Sequence, residues 1–232
     1  HSQQMWNLLE YLIAYRNETI SSQNLIEALW TEDKSNNPDN ALKNLVYRIR
    51  NMFTKSGIPF GRDLICYSQN TYSWNNQFVC ELDTEKFHTL CMQASSLQLH
   101  ADIRMELYLR AFALYQGDFL PGSSYRAWAV PFINTYRSLY FKSLYEAAEL
   151  LTIYQRYEDL ETICRKAVEI DRFEERAHQY LIESLVKQGK QSQALAHYNR
   201  FTAGSQPLSR NCKNHQQCGN RPKRHQRGPQ RT

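Results

Sequence analysis

The sequence predicts a mainly α-helical chain in which three short helices and a β-hairpin precede a long array of helices. Three observations lead to this fold class. Apolar residues recur at helical spacing through most of the chain, two β-favouring segments flank a polar turn at residues 68–70, and residues 143–170 align with 177–204 at a shift of 34. A hydrophobic content of 42% is typical of a globular protein, and 232 residues suffice for two domains.

The first two predicted helices precede residue 31. The periodic segment 3–16 has an apolar face that comprises Trp6, Leu9, Leu12 and Ile13, and residues 17–19 interrupt it. Ser21 or Ser22 can cap a second helix over QNLIEALW, because a hydroxyl can accept from a free backbone N–H. We expect the four tryptophans (Trp6, Trp30, Trp74 and Trp128) to pack in cores rather than to stack on nucleic-acid bases.

The third predicted helix, residues 40–53 (NALKNLVYRIRNMF), separates apolar from polar side chains. It follows a polar loop at residues 31–39, in which Pro38 suits a helix start, and Gly57 can end it. Its apolar face comprises Ala41, Leu42, Leu45, Val46, Ile49, Met52 and Phe53. The opposite face comprises Asn40, Lys43, Asn44, Tyr47, Arg48, Arg50 and Asn51.

The charge around this helix is of one sign. From Asn40 to Arg62 there are five Lys/Arg and no Asp or Glu, although the chain as a whole carries only +5. Amides can bond adenine and guanidiniums can bond guanine in the major groove, while cations attract phosphates. Three short helices of which the third is exposed and basic form the helix-turn-helix plan. The pattern therefore predicts double-stranded DNA as the partner.

A β-hairpin is predicted directly after the third helix. Residues 64–67 and 71–74 favour strands and flank the polar turn Ser68-Gln69-Asn70, which makes the hairpin a wing beside the helix.

We predict that Asn44, Tyr47, Arg48 and Asn51 contact base edges and that Lys43, Arg50 and Lys55 hold phosphates. Ser68, Gln69 and Asn70 can contact the minor groove or the backbone; an ordinary polar turn is the equally open alternative.

From Asp83 the pattern is helical almost to residue 201, with breaks near His100, 117–124, 154–157 and Gly189. The shift of 34 residues pairs Ala147 with Leu181, Leu151 with Leu185, Leu160 with Ala194 and Cys164 with Tyr198. Such a period, with two helices in each copy, is typical of tetratricopeptide repeats. The segment GDFLPG lacks the residues of a phosphate loop, so we interpret it as a bend in which Asp118 caps a helix.

Other classes of function find no support. No nucleophile–base pair, carboxylate dyad or nucleotide-binding fingerprint is present, so we expect neither an enzyme nor a cofactor. The first four cysteines (Cys66, Cys80, Cys91 and Cys164) are predicted to be buried and reduced. No apolar run is long enough to span a bilayer and no signal peptide is evident, which favours a cytoplasmic protein without membrane contact.

The composition changes after residue 203. Residues 204–232 contain seven Lys/Arg, no acid and one leucine, so we expect a basic disordered tail. Its metal-ligand candidates are Cys212, His215, Cys218 and His225. Their spacing is too tight for a usual zinc finger and no apolar residues surround them, so no metal site is predicted.

Three segments resemble a bacterial regulator class, the antibiotic-regulatory-protein (SARP) type, which joins an OmpR-like winged helix to a bacterial transcriptional activation domain. NLLEYLIAYRNETISSQNLIEALW is similar to the first two helices of that winged helix. ALKNLVYRIRNMF contains Arg48-Ile49-Arg50 where the family has Arg-Leu-Arg. ALYQGDFLPG, followed by Trp128, resembles the opening of the activation domain.

The resemblance implies a truncated winged helix-turn-helix with a β-hairpin wing at residues 1–81, since the family's N-terminal strands would precede residue 1. It implies a tetratricopeptide-like activation domain at residues 82–203, before the tail at 204–232. The expected function is transcription regulation, with Arg48 and Arg50 the positions most often engaged with DNA. RNA polymerase or another protein, including a second copy in a homodimer, would bind the helical domain.

Two alternatives to this function stay open. The first is a protein-interaction adaptor with a winged helix that does not bind DNA; an adaptor would have no need of the acid-free stretch from 40 to 62. The second is a single-stranded RNA binder that uses the tail and the aromatic residues, which would prefer single strands over duplex.

Overall fold

The computed structural model describes residues 2–30, 37–123 and 126–204. Its elements in chain order are α1 (Ser2–Ala14), β1 (Thr19–Ser21), α2 (Ser22–Leu29), α3 (Pro38–Lys55), β2 (Ile65–Ser68), β3 (Thr71–Trp74), α4 (Asp83–Ala94), α5 (Ala101–Leu114), α6 (Val130–Ile153), α7 (Tyr157–Ile170), α8 (Glu175–Lys187) and α9 (Gln191–Gly204). A short 3-10 turn at Pro121–Ser123 precedes α6. The prediction of a mainly α-helical chain is confirmed.

Some predictions lie outside the described residues. These are the loop at residues 31–36, the tail at 205–232 and the four metal-ligand candidates Cys212, His215, Cys218 and His225. The chain divides into two compact units, His1–Asp159 and Leu160–Thr232. The boundary predicted between residues 81 and 82 falls inside the first unit and stays a prediction.

The first unit contains a hydrophobic core built from α1, α2, α3 and the strands. Its fully buried members include Leu8 and Leu12 of α1, Leu25 of α2 and Ile49 of α3. Of the predicted apolar face of α3, four residues are buried and Ala41, Met52 and Phe53 are partly buried. Trp6 was expected in this core, but 46% of it is exposed because α1 buries the neighbouring positions Asn7, Leu8 and Leu9 instead.

The ends of α2 and α3 are capped as their sequences favour. Ser21 precedes α2, and its hydroxyl oxygen accepts from the Asn24 N–H at 3.1 Å. Asn37 does the same for α3, accepting from the Asn40 N–H at 3.1 Å, and Pro38 occupies the first turn. After α3 the chain turns through Gly57 at a φ of +75°, in the left-handed region that favours glycine.

A three-stranded antiparallel sheet completes this part of the chain, in the order β1-β3-β2. The predicted hairpin is β2–β3, and its turn consists of Gln69 and Asn70 at φ values of +47° and +61°. Two residues in the left-handed region are typical of a type I′ hairpin turn. Ser68, predicted in the turn, is the last residue of β2, and β1 was not predicted at all.

The helical part of the first unit contains α4, α5 and α6. Tyr108 and Tyr140 are fully buried, and the rings of Phe112 and Tyr140 meet edge to face with centroids 5.4 Å apart. The GDFLPG segment forms the expected bend. Asp118 is not the cap residue of either neighbouring α-helix, which corrects the prediction, since Tyr115 ends α5 and Ala129 precedes α6. Asp118 instead forms an ion pair, with its Oδ2 3.7 Å from Nη1 of Arg137 on α6.

The predicted period of 34 residues holds for the helix ends. α6 ends at Ile153 and α8 at Lys187; α7 covers Tyr157–Ile170 and α9 covers Gln191–Gly204. The two turns share their backbone hydrogen bonds, since the N–H groups of Arg156 and Lys190 both donate at 2.8 Å to the carbonyl five residues earlier. Residue 155 and residue 189 both have positive φ, +56° for Gln155 and +77° for Gly189.

Two sequence expectations in the helical array need correction. The break at residues 171–174, between α7 and α8, was not predicted because it contains neither glycine nor proline. Cys164 was aligned with Tyr198 as an apolar pair, yet Cys164 is fully buried and Tyr198 is 52% exposed. Of the first four cysteines, all free, Cys91 and Cys164 are buried as expected, Cys80 is half-buried and Cys66 is exposed.

The second unit holds a pair of hydrogen-bonded histidines. His178 Nδ1 lies 2.8 Å from His197 Nε2, and His178 Nε2 lies 3.0 Å from the Arg172 carbonyl oxygen. A carbonyl only accepts, so His178 carries its proton on Nε2 and accepts from His197 at Nδ1. Burial lowers the pKa of His197 below its ordinary 6.5, and the neighbouring His178, Arg200 and Arg165 add to this effect.

The matched turns predict a stabilising substitution. Gln155→Gly should raise the unfolding temperature by a few degrees. Glycine relieves left-handed strain of about 1–2 kcal/mol in the folded state, whereas its greater freedom in the unfolded chain costs only about 0.5–1 kcal/mol. Gly189→Ala should lower the unfolding temperature, since alanine meets the same strain. Differential scanning calorimetry of both variants tests this; a destabilised Gln155→Gly would contradict the account of the turn.

The histidine pair predicts acid sensitivity of α8 and α9. Because the folded state disfavours protonated His197, the unfolded chain binds the proton first as the pH falls below about 6.5. The stabilisation is therefore complete above that pH and is lost as the pH falls through the lower folded pKa. Hydrogen-exchange protection factors at pH 7.5 and 5.5 measure this loss. In His197→Gln the protection factors should depend less on pH. If they fall as much in this variant as in the unaltered chain, His197 is not the group responsible.

Candidate nucleic-acid interface

The exposed face of α3 carries the residues predicted to contact bases. Asn44, Tyr47 and Arg48 are exposed and Asn51 is half-buried, and the side chain of Tyr47 is 64% exposed. Their spacing of i, i+3, i+4 and i+7 places them in one row along the helix. The structure therefore brings together two amides, a phenol and a guanidinium on one polar surface.

Cations flank this row. Lys43 and Lys55 are exposed, and Lys55 lies in the last turn of α3, where a positive charge is favoured by the helix dipole. Asp39, in the first turn, is exposed at the other end of the helix, where a negative charge is favoured. Positive charge thus extends along the middle and the C-terminal end of the exposed face.

Arg50 differs from the other predicted contacts because it is half-buried. Its Nη2 donates to the carbonyl oxygen of Ile65 at 2.5 Å, so the guanidinium connects α3 to the first residue of β2. This charged donor satisfies a carbonyl at the start of the hairpin. The bond gives Arg50 a structural role, and a contact with phosphate stays a prediction for its remaining N–H groups.

The tip of the hairpin is tied to the start of α2. The Ser22 hydroxyl lies 3.0 Å from Asn70 Oδ1 and 2.9 Å from the Asn70 carbonyl oxygen, which also accepts from the Ser22 N–H at 3.0 Å. Ser22 is itself buried. Asn70 thus orients the turn, whereas Ser68 and Gln69 are exposed beside it.

Sequence reasoning missed two exposed residues of β2, Cys66 and Tyr67. The Tyr67 ring is 48% exposed and lies 4.8 Å, centroid to centroid, from the ring of buried Tyr72. Together with Arg50 and Arg62, they line an open groove between the end of α3 and the hairpin. The signal available in the sequence was an aromatic residue beside the wing turn, on a strand already predicted to border the helix.

The other side of α1 contacts the segment that leads into α6. Arg126, only 8% exposed, donates to Asn7 Oδ1, and its Nη1 lies 3.4 Å from Glu10 Oε2. The rings of Tyr11 and Trp128 meet edge to face with centroids 5.1 Å apart. Within the first unit, these contacts join α1 of the helix-turn-helix to the segment before α6. No local sequence motif predicts them.

Within residues 2–30, 37–123 and 126–204, no three His, Cys, Asp or Glu side chains cluster as metal ligands would. No helix in that same part of the chain is long and apolar enough to cross a membrane. The exposed polar face of α3 is thus the surface whose chemistry most clearly indicates a ligand.

Family comparisons agree with this geometry. A family model described as the bacterial transcriptional activator domain matches residues 82–206, more than half of the chain. The chain belongs to this family. A second model, described as the C-terminal domain of transcriptional regulatory proteins, matches residues 2–65. The bacterial transcriptional activator domain thus follows an OmpR-like DNA-binding domain, which confirms the SARP-type assignment and the predicted winged-helix fold class. Both models describe regulators of transcription.

Among solved structures, the chain is similar to one described as Mycobacterium tuberculosis EmbR in complex with a low-affinity phosphopeptide. The TM-score is 0.64 at 18% sequence identity, and the match covers 87% of this chain and 53% of that one. At this identity the likeness establishes a shared fold. The chain corresponds to about half the length of EmbR. No curated protein sequence matches the chain significantly.

The bond between Arg50 and Ile65 predicts a stability effect. Arg50→Ala should destabilise the first unit by about 1–3 kcal/mol, because the Ile65 carbonyl loses a charged donor. Lys43→Ala, an exposed residue on the same helix, should change stability by less than about 0.5 kcal/mol. Thermal unfolding of both variants measures the difference; equal effects would show that Arg50 does not hold the hairpin.

Proposed function

We propose that this chain is a sequence-specific DNA-binding transcriptional activator that inserts α3 in the major groove. The observation that carries the proposal is the row of Asn44, Tyr47, Arg48 and Asn51 on the exposed face of α3, the face opposite its buried side. An α-helix fits the major groove, and these side chains offer the donors and acceptors that distinguish base pairs there. Membership of a family of transcriptional regulators supports the same function.

The roles of the residues follow from their placement. Asn44, Tyr47, Arg48 and Asn51 contact base edges, and Lys43 and Lys55 at the flanks hold phosphates. Arg50 contributes chiefly by holding the hairpin against α3 through Ile65. The exposed Ser68 and Gln69 lie at the wing tip, where they reach the backbone or the minor groove beside the bound helix.

The predicted helical domain, residues 82–203, carries the surface proposed to bind a partner during activation. In the second unit, Val186, Leu195 and Tyr198 are exposed to 47%, 62% and 52%, which leaves apolar area for a protein. RNA polymerase or a second copy of the chain is the expected partner in the bacterial cytoplasm. EmbR was solved with a phosphopeptide, and a protein partner for this chain accords with that likeness.

DNA binding predicts different effects for two exposed cations of α3. Arg48→Ala should reduce the discrimination between the preferred site and random duplex by about 1–3 kcal/mol, because a base-edge contact is lost. Lys43→Ala should weaken both duplexes alike and lower the slope of affinity against salt by about one, because a phosphate contact is lost.

The measurement has two steps. Selection from genomic duplex fragments at physiological salt identifies the preferred site, and titrations of both variants at several salt concentrations then give the affinities. Random duplex of equal length is the control for the basic tail, which attracts any polyanion. Equal losses on specific and random duplex in Arg48→Ala would contradict the base-contact role. No enriched sequence from folded protein would instead favour the adaptor alternative.

A further inference from the structure

The open groove between the end of α3 and the hairpin has a volume of about 790 Å³, and β2, at one edge of the sheet, forms part of it. A volume of this size is in the range of small-molecule sites. Its lining includes two guanidiniums, from Arg50 and Arg62, and the aromatic rings of Phe60, Tyr67 and Phe78. The groove thus combines positive charge with aromatic surface.

The loop after α3 packs closely against that helix. Its buried Gly61 has no room for a side chain, because a Cβ there would lie 2.8 Å from both the Phe53 Cβ and the Thr54 backbone nitrogen. The neighbours of this glycine, Phe60 and Arg62, both line the groove. Packing of the backbone therefore positions one ring and one guanidinium of the groove.

Two rings of the groove are largely exposed. Phe60 is 72% exposed and has a φ of +57°, in the left-handed region, where a phenylalanine is strained. Strain of this kind persists only where the surrounding structure holds it, and it concentrates at binding sites. Tyr67 on β2 is 48% exposed. The loop and the strand thus each present an aromatic ring that the core does not use.

The positive charge of the groove is not neutralised by the chain. Half-buried Arg50 donates through Nη2 to the neutral Ile65 carbonyl, and its Nε is buried without a partner. Within the part of the chain that the structure describes, neither Arg50 nor Arg62 forms an ion pair. The described lining includes one carboxylate, that of exposed Asp63, which leaves a charge of +1. An anion would compensate a guanidinium that is partly removed from water.

We propose that this groove binds an unpaired nucleotide, with its phosphate on Arg50 and Arg62 and its base against the rings of Phe60 and Tyr67. Guanidiniums bind phosphate through charge-assisted hydrogen bonds, and unpaired bases stack on exposed aromatic rings. The paired bases of a duplex are not free to stack in this way. The exposed row of α3 is not part of the lining, so the site does not depend on the proposed DNA contacts.

Three probes separate the phosphate from the base on the full chain. AMP carries both, adenosine lacks the phosphate and ribose 5-phosphate lacks the base. Isothermal titration should show AMP binding with a dissociation constant of about 1 mM or tighter. Adenosine and ribose 5-phosphate should each bind at least about tenfold more weakly.

Charge variants locate the phosphate. Arg62→Gln should weaken AMP about tenfold without lowering the unfolding temperature, since this exposed side chain has no ion pair to lose. Asp63→Asn should strengthen AMP about twofold or more and leave adenosine unchanged, because it removes a repelling charge. Lys142→Gln removes an exposed cation from α6 outside the groove and should change nothing.

A ring variant locates the base. Phe60→Gly should weaken AMP about tenfold and leave ribose 5-phosphate unchanged, because only stacking is lost. Glycine suits the positive φ of this position, so the loop keeps its conformation and the unfolding temperature should not fall. An adenylate trinucleotide distinguishes the source of the nucleotide. Binding tighter than that of AMP, and weakened by Arg62→Gln, would indicate a single strand, whereas binding no tighter would indicate a free nucleotide.

Three outcomes would overturn the proposal. Equal affinity for AMP and ribose 5-phosphate would show that the groove recognises phosphate alone, as a contact with a duplex backbone would. An AMP affinity unchanged by both Arg62→Gln and Asp63→Asn would place the nucleotide elsewhere, for example on the basic tail. No binding of AMP to the folded chain would show that the groove holds no nucleotide. Duplex binding is measured separately, so its failure would leave these results unaffected.

Discussion

The surface proposed to contact DNA depends on how the core beneath α3 orients this helix. Four side chains of α3 are buried together with residues of α1 and α2: Leu42, Leu45, Val46 and Ile49. The opposite side of the helix therefore faces solvent. Burial of four such side chains is worth several kcal/mol, far more than any single exposed contact. Rotating α3 to present other residues would expose this apolar face. The exposed row of amides and guanidinium is therefore fixed by packing rather than by its own interactions.

The same first unit also joins α1 to the helical part. A guanidinium as buried as that of Arg126 is stable only when paired, and Asn7 and Glu10 of α1 provide its partners. Aromatic rings add to this contact. The ring centroid of Phe132 on α6 lies 5.2 Å from that of Tyr15 and 5.2 Å from that of Phe119. Helix α1 thus serves two surfaces at once, supporting α3 on one side and meeting the start of α6 on the other.

Local patterns predicted the elements whose formation depends on local physics. The spacing of apolar residues located α3, and the period of 34 located the paired helices. The serine pair Ser21-Ser22 located the start of α2, and the structure shows Ser21 to be the cap. Three-residue β1 was missed because it exists through pairing with β3, 50 or more residues later in the chain. The partner of Asp118 and the anchoring of Arg126 are likewise tertiary, and no sequence window contains both members of either contact.

The pair Arg48 and Arg50 shows why the candidate site was only partly predictable. Residues two apart on an α-helix lie about 200° apart around its axis, so both guanidiniums cannot point into one groove. Ile49 between them is fully buried, which sets the direction of its neighbours. Arg48 consequently lies in the exposed row, while Arg50 turns toward β2 and bonds Ile65. The packing of Ile49 therefore decides which arginine supports the hairpin and which one is exposed for the proposed base contact.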